Sequence, residues 1–138
     1  MTQEEKELLL KELCARLPYG VICQFIWSYS NETTDEEVVT DKDDDNIKCI
    51  NIHTKEIQAD YYDEWVDLEH CKPYLRPMSS MTEEEKRTYT SLRAHAAPFT
   101  IVNWLDENHF DHRTNMEGEY LIELGLALEA PEGMYDNH

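Results

Sequence analysis

Positive charge is scarce in this chain. Its 138 residues carry 12 Lys and Arg against 30 Asp and Glu, a formal net charge of −18. A surface of that sign repels nucleic-acid backbones and anionic membranes, and its natural long-range partners are basic surfaces. Glycine is also scarce, with four in all, and none of them builds a glycine-rich phosphate loop. No apolar run reaches the length of a membrane span, and the start Thr2-Gln3-Glu4-Glu5 is acidic, unlike the basic, then apolar, leader of an exported protein. The four cysteines (Cys14, Cys23, Cys49, Cys71) stand far apart with no C-x-x-C pair. Buried, reduced thiols and a cytoplasmic setting are the expectation.

The length fits one domain, 1–138, with an α+β fold. Its expected parts are an N-terminal helix over 2–17, an acidic β-rich region over 20–72, an extended seam over 73–81, and a mostly helical segment over 82–138. Thr2 and Glu5 form a capping box, and Leu10, Leu13, Cys14 and Leu17 recur at helical spacing before Pro18. Residues 21–27 read as a central strand, with Val21, Cys23, Phe25 and Trp27 on one face and Ile22 and Ile26 on the other. Residues 36–40 read as a short edge strand, 41–46 as a hairpin loop, and 47–54 as a half-buried antiparallel strand. Together these imply a small twisted antiparallel sheet or partial barrel. Pro73 and Pro77 hold Tyr74-Leu75-Arg76 extended, and Thr82 with Glu85 caps a second helix. Pro98 ends that helix, a third packs Ile101, Trp104 and Leu105 inward, and Gly125 is a left-handed cap.

Three long motifs carry a resemblance. They are Leu13-Cys14-Ala15-Arg16-Leu17-Pro18-Tyr19-Gly20-Val21, the seam from Lys72-Pro73-Tyr74-Leu75-Arg76-Pro77 through Met81-Thr82-Glu83-Glu84, and Asn108-His109-Phe110-Asp111 followed by Gly125-Leu126-Ala127-Leu128-Glu129-Ala130-Pro131-Glu132-Gly133. In these the chain resembles a family of small proteins, of unassigned activity, encoded by phages, prophages and mobile elements of gut anaerobic bacteria. The resemblance covers both ends and the seam and leaves out the acidic middle. It implies a mobile-element origin, and a constant frame carrying a variable insert implies recognition rather than catalysis. It transfers no site residue. This chain has His112 where the family has Tyr, so His109 and His112 are not a pair that the family requires.

Several constellations are candidates for chemistry. Asp41-Lys42-Asp43-Asp44-Asp45-Asn46 places carboxylates at the first, third and fifth positions of a calcium loop, but Lys48 and Ile52 stand where an apolar anchor and a bidentate Glu belong. Asp106, His109 and His112 have the spacing of metal ligands on a helix, against a reading of His109 as a helix C-terminal residue, His112 as a surface residue and Phe110 as a core plug. Cys49, His53, His70 and Cys71 match no common zinc framework. No cofactor or metal is therefore expected.

The leading expectation is a non-enzymatic acidic binding protein. Residues 30–46 and 60–69 hold thirteen carboxylates against one lysine, and the acidic face is assigned to Asp35, Glu36, Glu37, Asp41, Asp43, Asp44, Asp45, Asp60, Asp63, Glu64 and Asp67. Its partner would be a basic, nucleic-acid-binding host protein, such as a defence protein inhibited by charge mimicry. No direct nucleic-acid or membrane contact is expected, and the oligomeric state is left open. The first alternative is a small-ligand binder that sequesters a nucleotide signal, with Tyr74, Arg76, Tyr89, Arg93 and Arg113 as the anion pocket. The second is a small metal-dependent hydrolase.

Overall fold

The computed structural model describes residues 1–30, 38–61 and 64–135, with the backbone alone at 27–30 and 38–41. The first helix, α1 (Gln3–Arg16), opens on the expected capping box. The Thr2 hydroxyl accepts the Glu5 N–H at 3.1 Å and the Glu5 carboxylate accepts the Thr2 N–H at 2.8 Å. It ends in a 3₁₀ turn, Leu17–Tyr19, with Pro18 in its first positions, and Gly20 at φ +72° redirects the chain. The buried stripe differs from the expected one. It is Leu9, Glu12, Leu13 and Arg16, while Cys14 is exposed and Leu10 and Leu17 are only half-buried. The helix is rotated because Glu12 and Arg16 have buried partners, which a leucine count cannot reveal.

Beneath α1 lies one sheet built of β1 (Ile22–Ser30), β2 (Val38–Asn51), β3 (Glu56–Ala59), β4 (Trp65–Asp67), β5 (Cys71–Pro77), β6 (Phe110–Asp111) and β7 (Leu128–Glu129). The order is β4-β3-β2-β1-β5-β6, with β7 also on β5. The sheet is open and mixed: β1 to β5 pair antiparallel, while β6 and β7 run parallel to β5. As expected, Val21, Cys23 and Phe25 are buried on the α1 side and Ile22 and Ile26 are half-buried on the other.

Residues 41–46 are not a hairpin loop. They belong to β2 and pair with β1 in the register Ile22↔Asn46, Cys23↔Asp45, Phe25↔Asp43 and Trp27↔Asp41. Nine residues of a central strand offer a ladder, and pairing overrides the poor strand propensity of Asp. Of the expected edge strand, Val38, Val39 and Thr40 belong to β2, and Glu36 and Glu37 lie outside the described residues. The next strand was expected to reach Thr54 but turns at Asn51, whose side chain accepts the N–H groups of His53 (3.0 Å) and Thr54 (3.1 Å), and Lys55 sits at φ +58°.

The seam is β5, at the junction of both halves. Pro73 has no N–H to offer and is the last β5 residue paired with β1. Tyr74 and Leu75 then pair with β7, and Arg76 and Pro77 with β6. The 3₁₀ turn Met78–Ser80 leads to Thr82, whose capping box opens α2 (Glu83–His95), and Pro98 opens α3 (Pro98–Glu107). No residue of α2 is buried. A small core of Met81, Leu105 and Phe110 lies here, with Trp104 stacked on Tyr89 at 6.1 Å and tilted against Phe110 at 5.7 Å. The main core, from Leu9 and Leu13 to Leu126 and Ala127, fills the space between α1 and the sheet.

The helical part is 83–107 and does not continue through 138. His109 at φ +64° leaves the helix, and 108–135 fold as short strands and turns, with Gly125 at φ +74° as expected. Among the described residues no helix is long and apolar enough to cross a membrane.

Candidate functional site

The densest charge in the fold is inside it. Arg16, with no exposed side-chain surface, donates to Glu12 one turn back and to the Phe110 carbonyl, and its guanidinium stands 3.7 Å from Asp106. Arg113 grips Asp106 with two N–H groups at 2.7 and 2.8 Å and reaches Glu12 at 3.2 Å. His112 Nε2 lies 2.7 Å from Asp106 Oδ1. Burial alone would raise the Asp106 carboxyl, but the bonds from His112 and Arg113 and the nearby arginine charges outweigh it and hold it far below the usual carboxylate range. Burial likewise works against the Arg113 charge, and its bond to Asp106 more than offsets that. Two carboxylates and two guanidiniums thus neutralise one another and tie α1, α3 and the chain after β6 together.

Asp111 is buried beside them and accepts the N–H groups of Leu121 (3.3 Å) and Ile122 (3.1 Å), so it caps the turn before Gly125. Burial pushes its carboxyl up, and the two N–H groups only partly oppose that. His109 was expected near the end of a helix. It sits instead against Tyr135, ring centroids 3.7 Å apart and nearly parallel, and its Nδ1 is buried without a hydrogen-bond partner among the described residues. Burial, with the charges of Arg16 and Arg76, lowers its pKa to about 4. His112 was expected on the surface and is instead nearly buried on Asp106. The Tyr135 hydroxyl donates to the Tyr74 carbonyl at 2.6 Å and accepts the Ile22 N–H at 3.1 Å, which straps the C-terminal turn across β1 and β5.

The expected anion pocket does not assemble. Arg76 donates twice to Glu85, at 2.8 and 2.6 Å, with its guanidinium 4.3 Å above the Phe110 ring. That pairing lowers the Glu85 pKa. Arg113 belongs to the buried cluster, Arg93 lies over Tyr89, and the Tyr74 hydroxyl donates to Asp44 at 2.8 Å. A cleft of about 700 Å³ beside Arg76 is lined by Glu84, Glu85, Glu129, Glu132 and Tyr135. Four carboxylates around one already paired arginine repel phosphate.

No family model, curated protein or solved structure matches the chain.

The acidic residues fall into three groups. Asp43 and Asp45 share the α1-side face of β2 with Cys23 and Phe25, and Asp44 lies on the opposite face, because successive strand residues alternate. Asp60, Glu64 and Asp67 are exposed around β3 and β4, where the Tyr61 N–H donates to Asp45 at 2.7 Å and the Glu69 N–H donates to Asp67 at 3.0 Å. Asp41 is in β2 with its backbone alone described, and Asp35, Glu36, Glu37 and Asp63 lie outside the described residues. The acids therefore occupy both sheet faces and the β4 edge.

Strand geometry also removes the calcium loop, since residues 41–46 point alternately to opposite faces. Of the zinc set, Cys71 is buried in the core beside Cys23, Cys49 donates to Gln58, and His53 is in the turn after β2. Among the described residues no group of three His, Cys, Asp or Glu side chains is placed to hold a metal ion. The buried residues that sequence reasoning missed are Glu12, Arg16 and Asp111. Their one sequence signal is that Glu12 and Arg16 continue the Leu9 and Leu13 stripe at i+3 and i+7.

Proposed function

We propose that this chain is a non-enzymatic acidic binding protein of phage or mobile-element origin that docks on a basic, nucleic-acid-handling protein of a bacterial host. Inhibition of a defence protein by charge mimicry is the form that this takes. The observation that supports it is the division of charges. Arg16, Arg76 and Arg113 are each held by carboxylates of the fold, whereas no ion pair among the described residues engages Asp60, Glu64 or Asp67. Exposed carboxylates outside any ion pair thus stand around β3 and β4, where they steer a cationic surface. The action belongs in the host cytoplasm. The nucleotide reading is disfavoured by the acidic lining of the Arg76 cleft.

Capture of host proteins from a lysate on the immobilised chain, at low and at high salt, tests this. The reading expects a basic nucleic-acid-binding protein retained at low salt and released at high salt. Retention of acidic proteins only, or of a partner indifferent to salt, would contradict it.

A further inference from the structure

We infer that the outer edge of β4 is where the partner docks, and that the docking element is an extended Lys- or Arg-rich segment that adds to the sheet as one more strand. This rests on the proposed reading of the chain as an acidic binder and names its contact. β4 ends the sheet order, and no described segment pairs with its outer side. Its register against β3 is Glu56↔Asp67, Ile57↔Val66 and Gln58↔Trp65. The Leu68 N–H donates to the Lys55 carbonyl at 3.1 Å, which makes 55 and 68 a hydrogen-bonded pair. Antiparallel pairs alternate, so Val66 turns its N–H and C=O to β3, and Trp65 and Asp67 turn theirs outward.

The side chains suit a basic occupant. Val66 is buried at 4% exposure and anchors the strand to the core, whereas Trp65 is 47% exposed and lies on the other face with Asp67, opposite Gln58 and Glu56. A strand laid along this edge places every second side chain beside that indole face and those carboxylates. Lys or Arg there gains both a cation–π contact and charge pairing. The exposed Glu64 directly precedes Trp65 on the same strand edge, whereas the Asp60 and Tyr61 N–H groups donate to Asn46 and Asp45 of β2. The cations in the neighbourhood are Lys55, in the turn before β3, and Lys6, which is held by Glu69 at 3.0 Å and also lies in the field of Asp67. A second copy of this chain is the wrong occupant, because edge-to-edge pairing would lay side by side two strands that each carry Glu64, Asp67 and Glu69 and no Lys or Arg over 64–69. The charge that blocks self-association is complementary to a basic strand.

The test uses the full chain and a synthetic eight-residue peptide alternating Lys or Arg with Val. A twin peptide carries N-methyl groups on alternate amides, which keeps its charges but removes its edge donors. The inference expects the first peptide to bind and to slow amide exchange at Trp65 and Asp67, leaving Val66 unchanged. The twin should bind about tenfold more weakly, and Trp65→Lys should abolish the protection while leaving the circular dichroism spectrum intact. Equal binding of both peptides would overturn strand addition while leaving charge-driven docking standing. No binding, or protection elsewhere than β4, would overturn the edge as the site. A peptide that protects β4 beside a lysate capture yielding no basic partner would support the edge and fail the proposed function.

Discussion

Glu12 and Arg16 stand one turn apart on α1, joined side chain to side chain with no solvent exposure on either. On an isolated helix such a pair adds a few tenths of a kcal/mol and faces water. Here it faces inward and is completed by Asp106 and Arg113, about ninety to a hundred residues further along the chain. Removing one member leaves the others buried and uncompensated. Glu12→Ala should therefore cost about 3–5 kcal/mol of stability in urea unfolding. Joint replacement of Glu12 and Arg16 by Leu and Met should cost less than the single change. A loss below about 1 kcal/mol for Glu12→Ala would mean that the pair is not desolvated.

Arg76 is the link between the sheet and α2, a helix with no buried residue. Arg76→Lys keeps the charge but loses the two-pronged grip on Glu85 and the flat contact with Phe110. The expected cost is about 1–2 kcal/mol, with faster hydrogen exchange confined to α2 and α3. Unchanged exchange in α2 would show that another contact holds it.

How much of this the sequence discloses depends on the range of the forces involved. Thr2 with Glu5, Thr82 with Glu85, the alternation of Val21, Cys23 and Phe25, Pro98 and Gly125 act within a few residues, and the structure follows them. Glu12 and Arg16 look like a solvated face until Asp106 and Arg113 are brought to them. Residues 41–46 look like a turn because Asp is a poor strand former, and only the ladder offered by β1 overrides that. The course of the chain after His109 is set by β5, which accepts β6 and β7 as parallel neighbours that no local pattern announces.

The stacked His109 gives a pH signature. Its pKa falls from 6.5 to about 4 on folding, so the unfolded chain binds the extra proton first. The stabilisation is present in full above the unfolded value and is lost as pH falls through the interval down to about 4, a total of ~3 kcal/mol. Asp106, held lower still, keeps its contribution until pH falls below the ordinary Asp value of about 4. His109→Asn tolerates the left-handed backbone and carries no proton to bind, so it should flatten the stability profile between pH 6.5 and 4. A profile with the same slope would contradict the assignment.

The thiols should separate by position. Cys14 is exposed, whereas Cys23 and Cys71 lie in the core, and burial, then its neighbour Cys71, raises the Cys23 pKa. In the folded chain a maleimide should label Cys14 rapidly and Cys23 and Cys71 only at the rate of unfolding. Fast labelling of Cys71 would show that the sheet opens at the seam.

The central claim is that carboxylates around β4 make contact with a cationic macromolecule. Its most direct test is the salt dependence of affinity for the captured host partner, measured for the native chain and for the triple variant Asp60→Asn, Glu64→Gln, Asp67→Asn. The account predicts affinity that falls steeply with salt for the native chain, and a weaker, flatter dependence for the variant. Identical curves for the two would contradict it.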